Sequence, residues 1–242
     1  MKTMLDTNEQ MSRVRWLDYP DRASWAAAAA DKIGERLNDG IAQRNVASLI
    51  VPGGTTPQPI LERLNAMELK WDRIQVGLTD ERWVATSHVD SNENLVRRTL
   101  LRGPAGKAVQ FHSLYTGARR PSSGLKQAEA SMATMAKPFD VVLLGMGTDG
   151  HFASLFPGIP QLAAGLDPNH AAMCLAIDTP QSGFPRMSLT LSALLNAKLI
   201  ILAVSGRPKR TLLSQALAGK STTPIAALLA ARKDDLEILW TD

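Results

Sequence analysis

Short apolar runs alternate with helical patterns along the whole chain, and this alternation constrains the fold more than any single motif. Val46–Val51, Ile74–Leu78, Phe139–Leu144, Leu199–Val204 and Leu236–Trp240 are strand-length runs. Val109–Leu114 and Cys174–Ile177 are two further strand patterns. Phe139–Leu144 has the near-continuous apolar character of a parallel strand buried on both faces. Helical patterns lie between these runs: Arg22–Arg44, Gln58–Met67, a segment capped by Ser91 and running to about Leu101, and Gly124–Ala136. Two more helices are expected to start near Pro208 and at Thr223-Pro224, where proline suits the first turn. Strands separated by helices predict βαβ units, a parallel sheet and right-handed crossovers. No repeat or low-complexity tract divides the chain, and Arg119–Gly124 reads as a surface loop. The 242 residues are therefore read as a single α/β domain spanning 1–242, with residues 1–20 as a loosely ordered N-terminal extension.

Composition narrows the function class. Hydrophobic residues make up 45% and charged residues 21%, which is ordinary for a globular domain. The net charge of +4 favours an anionic metabolite, but no dense Lys/Arg run with interleaved aromatics suggests a nucleic-acid partner. The one cysteine, Cys174, lies in an apolar run, reads as core filler, and excludes an internal disulfide. Residues 1–22 contain no apolar signal-peptide core, and Ala26–Ala30 is too short to span a membrane. A cytoplasmic protein with no membrane partner is expected.

Three loops follow strands and could meet at one sheet edge. Gly53-Gly-Thr-Thr-Pro57 can bring backbone N–H groups close to an anion, although it lacks the Gly-Lys-Ser/Thr ending of a nucleotide loop. A plain tight turn explains it equally well. Thr79-Asp-Glu-Arg-Trp83 sets two acids and an arginine at a strand end, where a solvated turn is the plainer reading. Leu144–Gly158 contains Gly145, Gly147 and Gly150 in a G-x-G-x-x-G spacing. Asp149 would face a cofactor pyrophosphate, and Pro157 and Pro160 stop any helix there, so a dinucleotide site is disfavoured. The loop instead offers Asp149 and His151 at a strand end, where a histidine can act as general base. His88, His112 and His170 sit in no comparable loop. Farther on, Arg186 opens an alternating run, and Arg207, Lys209 and Arg210 surround Pro208 in a basic first helical turn that suits a phosphate clamp. No metal-ligand spacing or nucleophile elbow is present.

Five segments together resemble the glucosamine-6-phosphate isomerase/6-phosphogluconolactonase family. They are Gly53–Pro57, Thr79–Val84, Ser91-Asn-Glu-Asn-Leu95, Gly145–Gly158 and Arg186-Met-Ser-Leu-Thr190. They fall in family order from about residue 20 to the C-terminus, and the long histidine motif is highly specific. The resemblance implies an α/β fold with a modified doubly wound (Rossmann-like), mostly parallel sheet and helices on both faces. Family deaminases resemble the pattern Asp-Gly-His-Ile-Ala-Phe-Asn-Glu-Pro, whose glutamate moves protons. The matching position here is Phe156, which favours the lactonase branch.

That branch implies hydrolysis of 6-phospho-D-glucono-1,5-lactone in the oxidative pentose phosphate pathway. His151 is the expected base, with Asp149 orienting it and Arg82 and Asp80 at the lactone end. Gly53, Gly54, Thr55, Arg186 and Lys209 are the expected substrate-binding residues, with Arg207 and Arg210 in reserve. No metal and no organic cofactor is implied. The partner is a small sugar-phosphate lactone, and the assembly is expected to be a monomer or homodimer. A deaminase-type isomerase and a non-catalytic sugar-phosphate sensor are the alternatives.

Overall fold

In the computed structural model, which describes residues 14–177, 183–232 and 235–242, the apolar runs assemble into a seven-stranded sheet. The strands are β1 (Val14–Asp18), β2 (Ala47–Val51), β3 (Ile74–Leu78), β4 (Asp80–Arg82), β5 (Gln110–His112), β6 (Phe139–Leu144), β7 (Cys174–Ile177), β8 (Arg186–Leu189), β9 (Ala197–Ser205) and β10 (Asp235–Thr241). The main sheet runs β1-β10-β9-β6-β2-β3-β5, and every neighbouring pair is parallel. A second sheet, antiparallel and ordered β4-β8-β7, stands apart from it.

The helices around the sheets are α1 (Arg22–Arg44), α2 (Gln58–Asn65), α3 (Asn92–Thr99), α4 (Pro104–Ala108), α5 (Pro121–Ala133), α6 (Leu162–Gly165), α7 (Leu191–Leu195), α8 (Arg207–Leu217) and α9 (Pro224–Ala231). Helix α1 shows why the local sequence folds as it does. Asp21 caps it by accepting from the Ser24 N–H at 2.7 Å. Trp25, Ala29, Ile33 and Leu37 recur every fourth residue and are fully buried, forming its inner stripe. The Trp25 indole donates to the Leu239 carbonyl at 3.0 Å, which ties this stripe to β10.

Strands β2 and β6 lie side by side at the centre, and all their residues are buried. Asp140 is the exception in chemistry, since its carboxylate sits inside β6. It is held by Arg44 at 2.5 Å, Lys198 at 3.1 Å and the Ser48 N–H at 2.9 Å, so the buried charge is fully paired. From β2 the chain goes on to β3 on one side, whereas after β6 it returns to the sheet at β9 on the other. Adjacent strands whose connections part in this way open a crevice at their C-terminal ends, where α/β sheets bind ligands.

Several expectations need correction. Residues 14–18, read as part of a loose extension, form the edge strand β1 paired with β10; residues 1–13 lie outside the described part. Asp80–Arg82, read within a loop, is a strand of the second sheet because Arg186–Ser188 pairs with it. The segment read as a strand over Val109–Leu114 is a strand only over Gln110–His112. The helix expected from Gly124 starts at Pro121, since proline fits the first helical position, and ends at Ala133. Among the described residues, no helix is long and apolar enough to cross a membrane.

Candidate active site

The histidine loop leaves the C-terminal end of β6 and folds back on itself. Gly147 N–H donates to the His151 carbonyl at 2.9 Å, and Gly150 N–H donates to the Gly147 carbonyl at 3.1 Å. Gly150 takes φ +80°, a conformation that a side chain disfavours. The turn lays the His151 ring beside its neighbour two residues back. His151 Nδ1 is 2.6 Å from Asp149 Oδ1, which also accepts from the His151 N–H at 3.2 Å. This bond assigns the proton to Nδ1 and leaves Nε2 with a free lone pair. Burial alone would raise the Asp149 carboxyl, but hydrogen bonds from His151 and its nearby charge outweigh that and hold it below its usual range. The Phe156 ring lies 4.1 Å from the His151 ring, centroid to centroid. The first helix after Gly150 is α6, at Leu162. No helix therefore begins directly after the glycine loop, where a dinucleotide pyrophosphate would need its N-terminus.

The second sheet places the charged residues. Side chains alternate along β4, so Asp80 and Arg82 share one face and Glu81 takes the other. Asp80 pairs with Ser188, and Arg82 stands directly across from Arg186. Two guanidinium groups in register repel each other, an arrangement that disfavours the sheet and suits an anion. Asp80 is buried and accepts from Ser154 Oγ at 2.5 Å, Thr79 Oγ1 at 2.9 Å and Arg186 Nη1 at 3.5 Å. Burial lowers the Arg186 pKa, partly against the attraction of Asp80, and the Arg82 charge lowers it further. The Arg186 guanidinium also lies 5.2 Å from the centre of the Phe156 ring. Arg82 Nη1 donates to the Asp90 carbonyl at 2.9 Å.

The loop after β2 supplies the third wall. A β-carbon on Gly53 would lie 1.8 Å from Asn92 Oδ1, so only glycine lets this backbone run against Asn92. Lys209 sits in the first turn of α8, where burial lowers its pKa. It forms no ion pair among the described residues.

These elements close on one cavity of about 310 Å³. Gly53, Gly54, Thr55, Asp80, Arg82, His151, Arg186 and Lys209 all line it. Asp149 does not line it and stands against His151. Arg207 and Arg210 lie elsewhere. Arg207 is exposed beside Asp242, and Arg210 pairs with Asp18 at 2.6 Å and lies over Trp240. Cys174 is buried, and that burial raises its thiol pKa, which leaves it unsuited to act as a nucleophile.

Sequence reasoning missed two residues that hold this site together, Glu81 and Asn92. One signal was available: Ser91 caps only the Asn94 N–H, so the first two N–H groups of α3 needed another acceptor.

A family model described as glucosamine-6-phosphate isomerases/6-phosphogluconolactonase matches residues 20–240. The chain belongs to this family. A 6-phosphogluconolactonase of Mesorhizobium japonicum is 40% identical over 225 residues, which cover 93% of this chain and 94% of that one. One from Pseudomonas putida is 42% identical, covering 92% and 91% of the two chains. The solved structure of a 6-phosphogluconolactonase from Shewanella baltica superposes with a TM-score of 0.89 at 33% identity, covering 95% and 98%. A monomeric glucosamine-6-phosphate deaminase superposes at 0.76 with 15% identity, which speaks for the shared fold alone.

Proposed function

We propose that this chain hydrolyses 6-phospho-D-glucono-1,5-lactone to 6-phosphogluconate, the lactone-opening step of the oxidative pentose phosphate pathway. The Asp149–His151 pair carries the reading, because Asp149 engages Nδ1 of a histidine that lines one cavity with Arg82, Arg186 and Lys209. The relatives named above bear the same activity in their names. Phe156 stands where family deaminases resemble a proton-carrying glutamate, and a phenyl ring moves no protons.

In this reading each of these residues has a part in the chemistry. His151 Nε2 takes a proton from water as its oxygen bonds to C1 of the lactone. The carbonyl π electrons move to oxygen, and the Arg82 guanidinium offsets the new negative charge. Collapse of this intermediate breaks the C1–ring oxygen bond, and the departing oxygen takes the proton back from His151. Asp149 stabilises the transient imidazolium and keeps the Nδ1–H tautomer in place. Asp80 acts as a holder, positioning Arg186 through its buried carboxylate. The Gly53–Thr55 backbone, Arg186 and Lys209 hold the phosphate, and this remote binding energy fixes C1 in front of His151. The sequence reading of one domain in the cytoplasm belongs to the same proposal.

The deciding measurement is enzyme-dependent lactone hydrolysis, corrected for the spontaneous rate, beside the His151→Ala variant. A general base contributes about 10²–10⁴-fold, so the variant should lose most turnover while still binding 6-phosphogluconate. Near-normal turnover in His151→Ala would remove the base from this account. Release of ammonia from glucosamine 6-phosphate would replace the lactonase reading with a deaminase one.

A further inference from the structure

The mechanism leaves unused one buried titratable group in direct contact with the site's framework. Glu81 is fully buried on the face of β4 opposite Asp80 and Arg82. Its carboxylate accepts four hydrogen bonds. Oε1 takes the Arg82 N–H at 2.8 Å and the Asn92 N–H at 2.7 Å. Oε2 takes the Glu93 N–H at 2.8 Å and the Ser91 hydroxyl at 3.0 Å. Ser91 itself covers the Asn94 N–H at 3.1 Å. One carboxylate therefore clamps the start of α3 to the middle of β4.

Two structural residues hang from this clamp. The Asp90 carbonyl, one residue before Ser91, holds the Arg82 guanidinium at 2.9 Å. The Asn92 amide donates to the Asp80 carbonyl at 2.8 Å, and its Oδ1, buried without a hydrogen-bond partner among the described residues, stands where a side chain on Gly53 would go. The oxyanion-side arginine and the phosphate-side loop thus take their places from one shared anchor. A helix start could be satisfied by an ordinary capping box, but here the residue three after the cap is Asn94 rather than glutamate. The acceptor comes instead from the strand that bears the working arginine.

We propose that Glu81 is a positioning residue for lactone hydrolysis, acting through Arg82 and through Asn92 on the Gly53 loop. This inference rests on the lactonase reading. Burial pushes the Glu81 carboxyl up to about 7, with the four donors pulling the other way. All four partners are donors, so the site is built around oxygens that accept. An amide at this position turns one oxygen into an NH₂ group. Whichever way it is oriented, that NH₂ faces one of the first two helix N–H groups.

The test is a double-mutant cycle of Glu81→Gln with Arg82→Ala, measured as kcat per site that binds 6-phosphogluconate. Glu81→Gln alone should lose about tenfold to a hundredfold in kcat, the scale of a small misplacement of a working group, with KM changing less. Added to Arg82→Ala, it should cost less than about threefold more, because the residue it positions is already gone. A merely structural role would lower the number of binding sites, or would multiply with Arg82→Ala, and either result overturns the proposal. Full activity in Glu81→Gln overturns it as well. If Glu81→Gln does not fold, Glu81→Asp enters the same cycle, keeps the charge, and is decided by the same two outcomes. Wild-type protein that fails to hydrolyse the lactone overturns the functional reading itself, whereas active wild type with an unaffected variant overturns this inference alone.

Discussion

Gly147→Ala tests the catalytic geometry without touching a single functional group. A β-carbon at this position would sit 2.3 Å from both Cε1 and Nδ1 of His151 and 2.6 Å from Asp149 Oδ1. Those separations are more than an ångström inside normal contact, so the new methyl and the 2.6 Å Asp149–His151 bond exclude each other. Relief is easy on one side only. The His151 side chain is 27% exposed and can swing outward, while the loop backbone is pinned by the bonds from Gly147 to His151 and from Gly150 to Gly147. The ring should therefore leave its place above Phe156, and Nε2 should lose its aim into the cavity.

The magnitude follows from what is lost. Displacing the base forfeits a contribution of about 10²–10⁴-fold, or roughly 3–5 kcal/mol of barrier. Gly147→Ala should thus approach His151→Ala in kcat and keep KM within about threefold, because the residues proposed to hold the phosphate lie on other loops. Folding stability should change little, since the displaced ring moves toward water. Gly145→Ala is the matched control: it lies two residues away in the same loop, and its methyl meets nothing within 4 Å. It should hold kcat within about twofold and place any change on KM. Steady-state kinetics on both variants, corrected for spontaneous opening, decide the matter. Equal kcat for Gly147→Ala and wild type would refute the Asp149–His151 pair as the working base.

Three further outcomes are expected. Lys209→Ala should act mainly on KM, raising it about tenfold to a hundredfold, the worth of one charge-assisted hydrogen bond to phosphate; an unchanged KM removes Lys209 from the phosphate site. Phe156→Leu keeps an apolar surface but loses the ring contacts to His151 and Arg186, worth about 0.5–1.5 kcal/mol, so kcat/KM should fall roughly twofold to tenfold. Phe156→Tyr, which keeps the ring, should retain more activity than the leucine variant, and the reverse order would show that the ring contact is irrelevant. The Glu81 carboxyl ordinarily titrates at 4.5 and is raised to about 7 in the folded chain. The folded state then binds more protons than the unfolded state between those values, so stability should decline as pH rises from about 4.5 to about 7. Glu81→Gln should flatten that part of the profile in urea titrations, and an unchanged slope would show that Glu81 is not its source.

What could be read from the sequence divides along a physical line. The Gly145–Gly158 loop was legible because glycines and prolines act locally: Gly150 sets its own backbone, and Pro157 and Pro160 stop a helix from running through them wherever the rest of the chain goes. The α/β alternation was legible for the same reason, as periodicity within one segment. Strand β4 was not. Asp-Glu-Arg has no apolar signature, and its strand character comes from Arg186–Ser188, about a hundred residues away. Strand β1 stayed hidden because an edge strand keeps one open side and mixes Arg15 and Asp18 with Trp16 and Leu17. Chemistry-bearing side chains and the framework that aims them differ in the same way. Arg82 can be picked out as a cation after a strand, whereas the worth of Glu81 depends on which N–H groups the fold brings to it. The register of β4 settles both at once. One residue of slip would bury Arg82 against α3 and turn Glu81 into the cavity, so the pairing with β8 determines which charge faces the cavity.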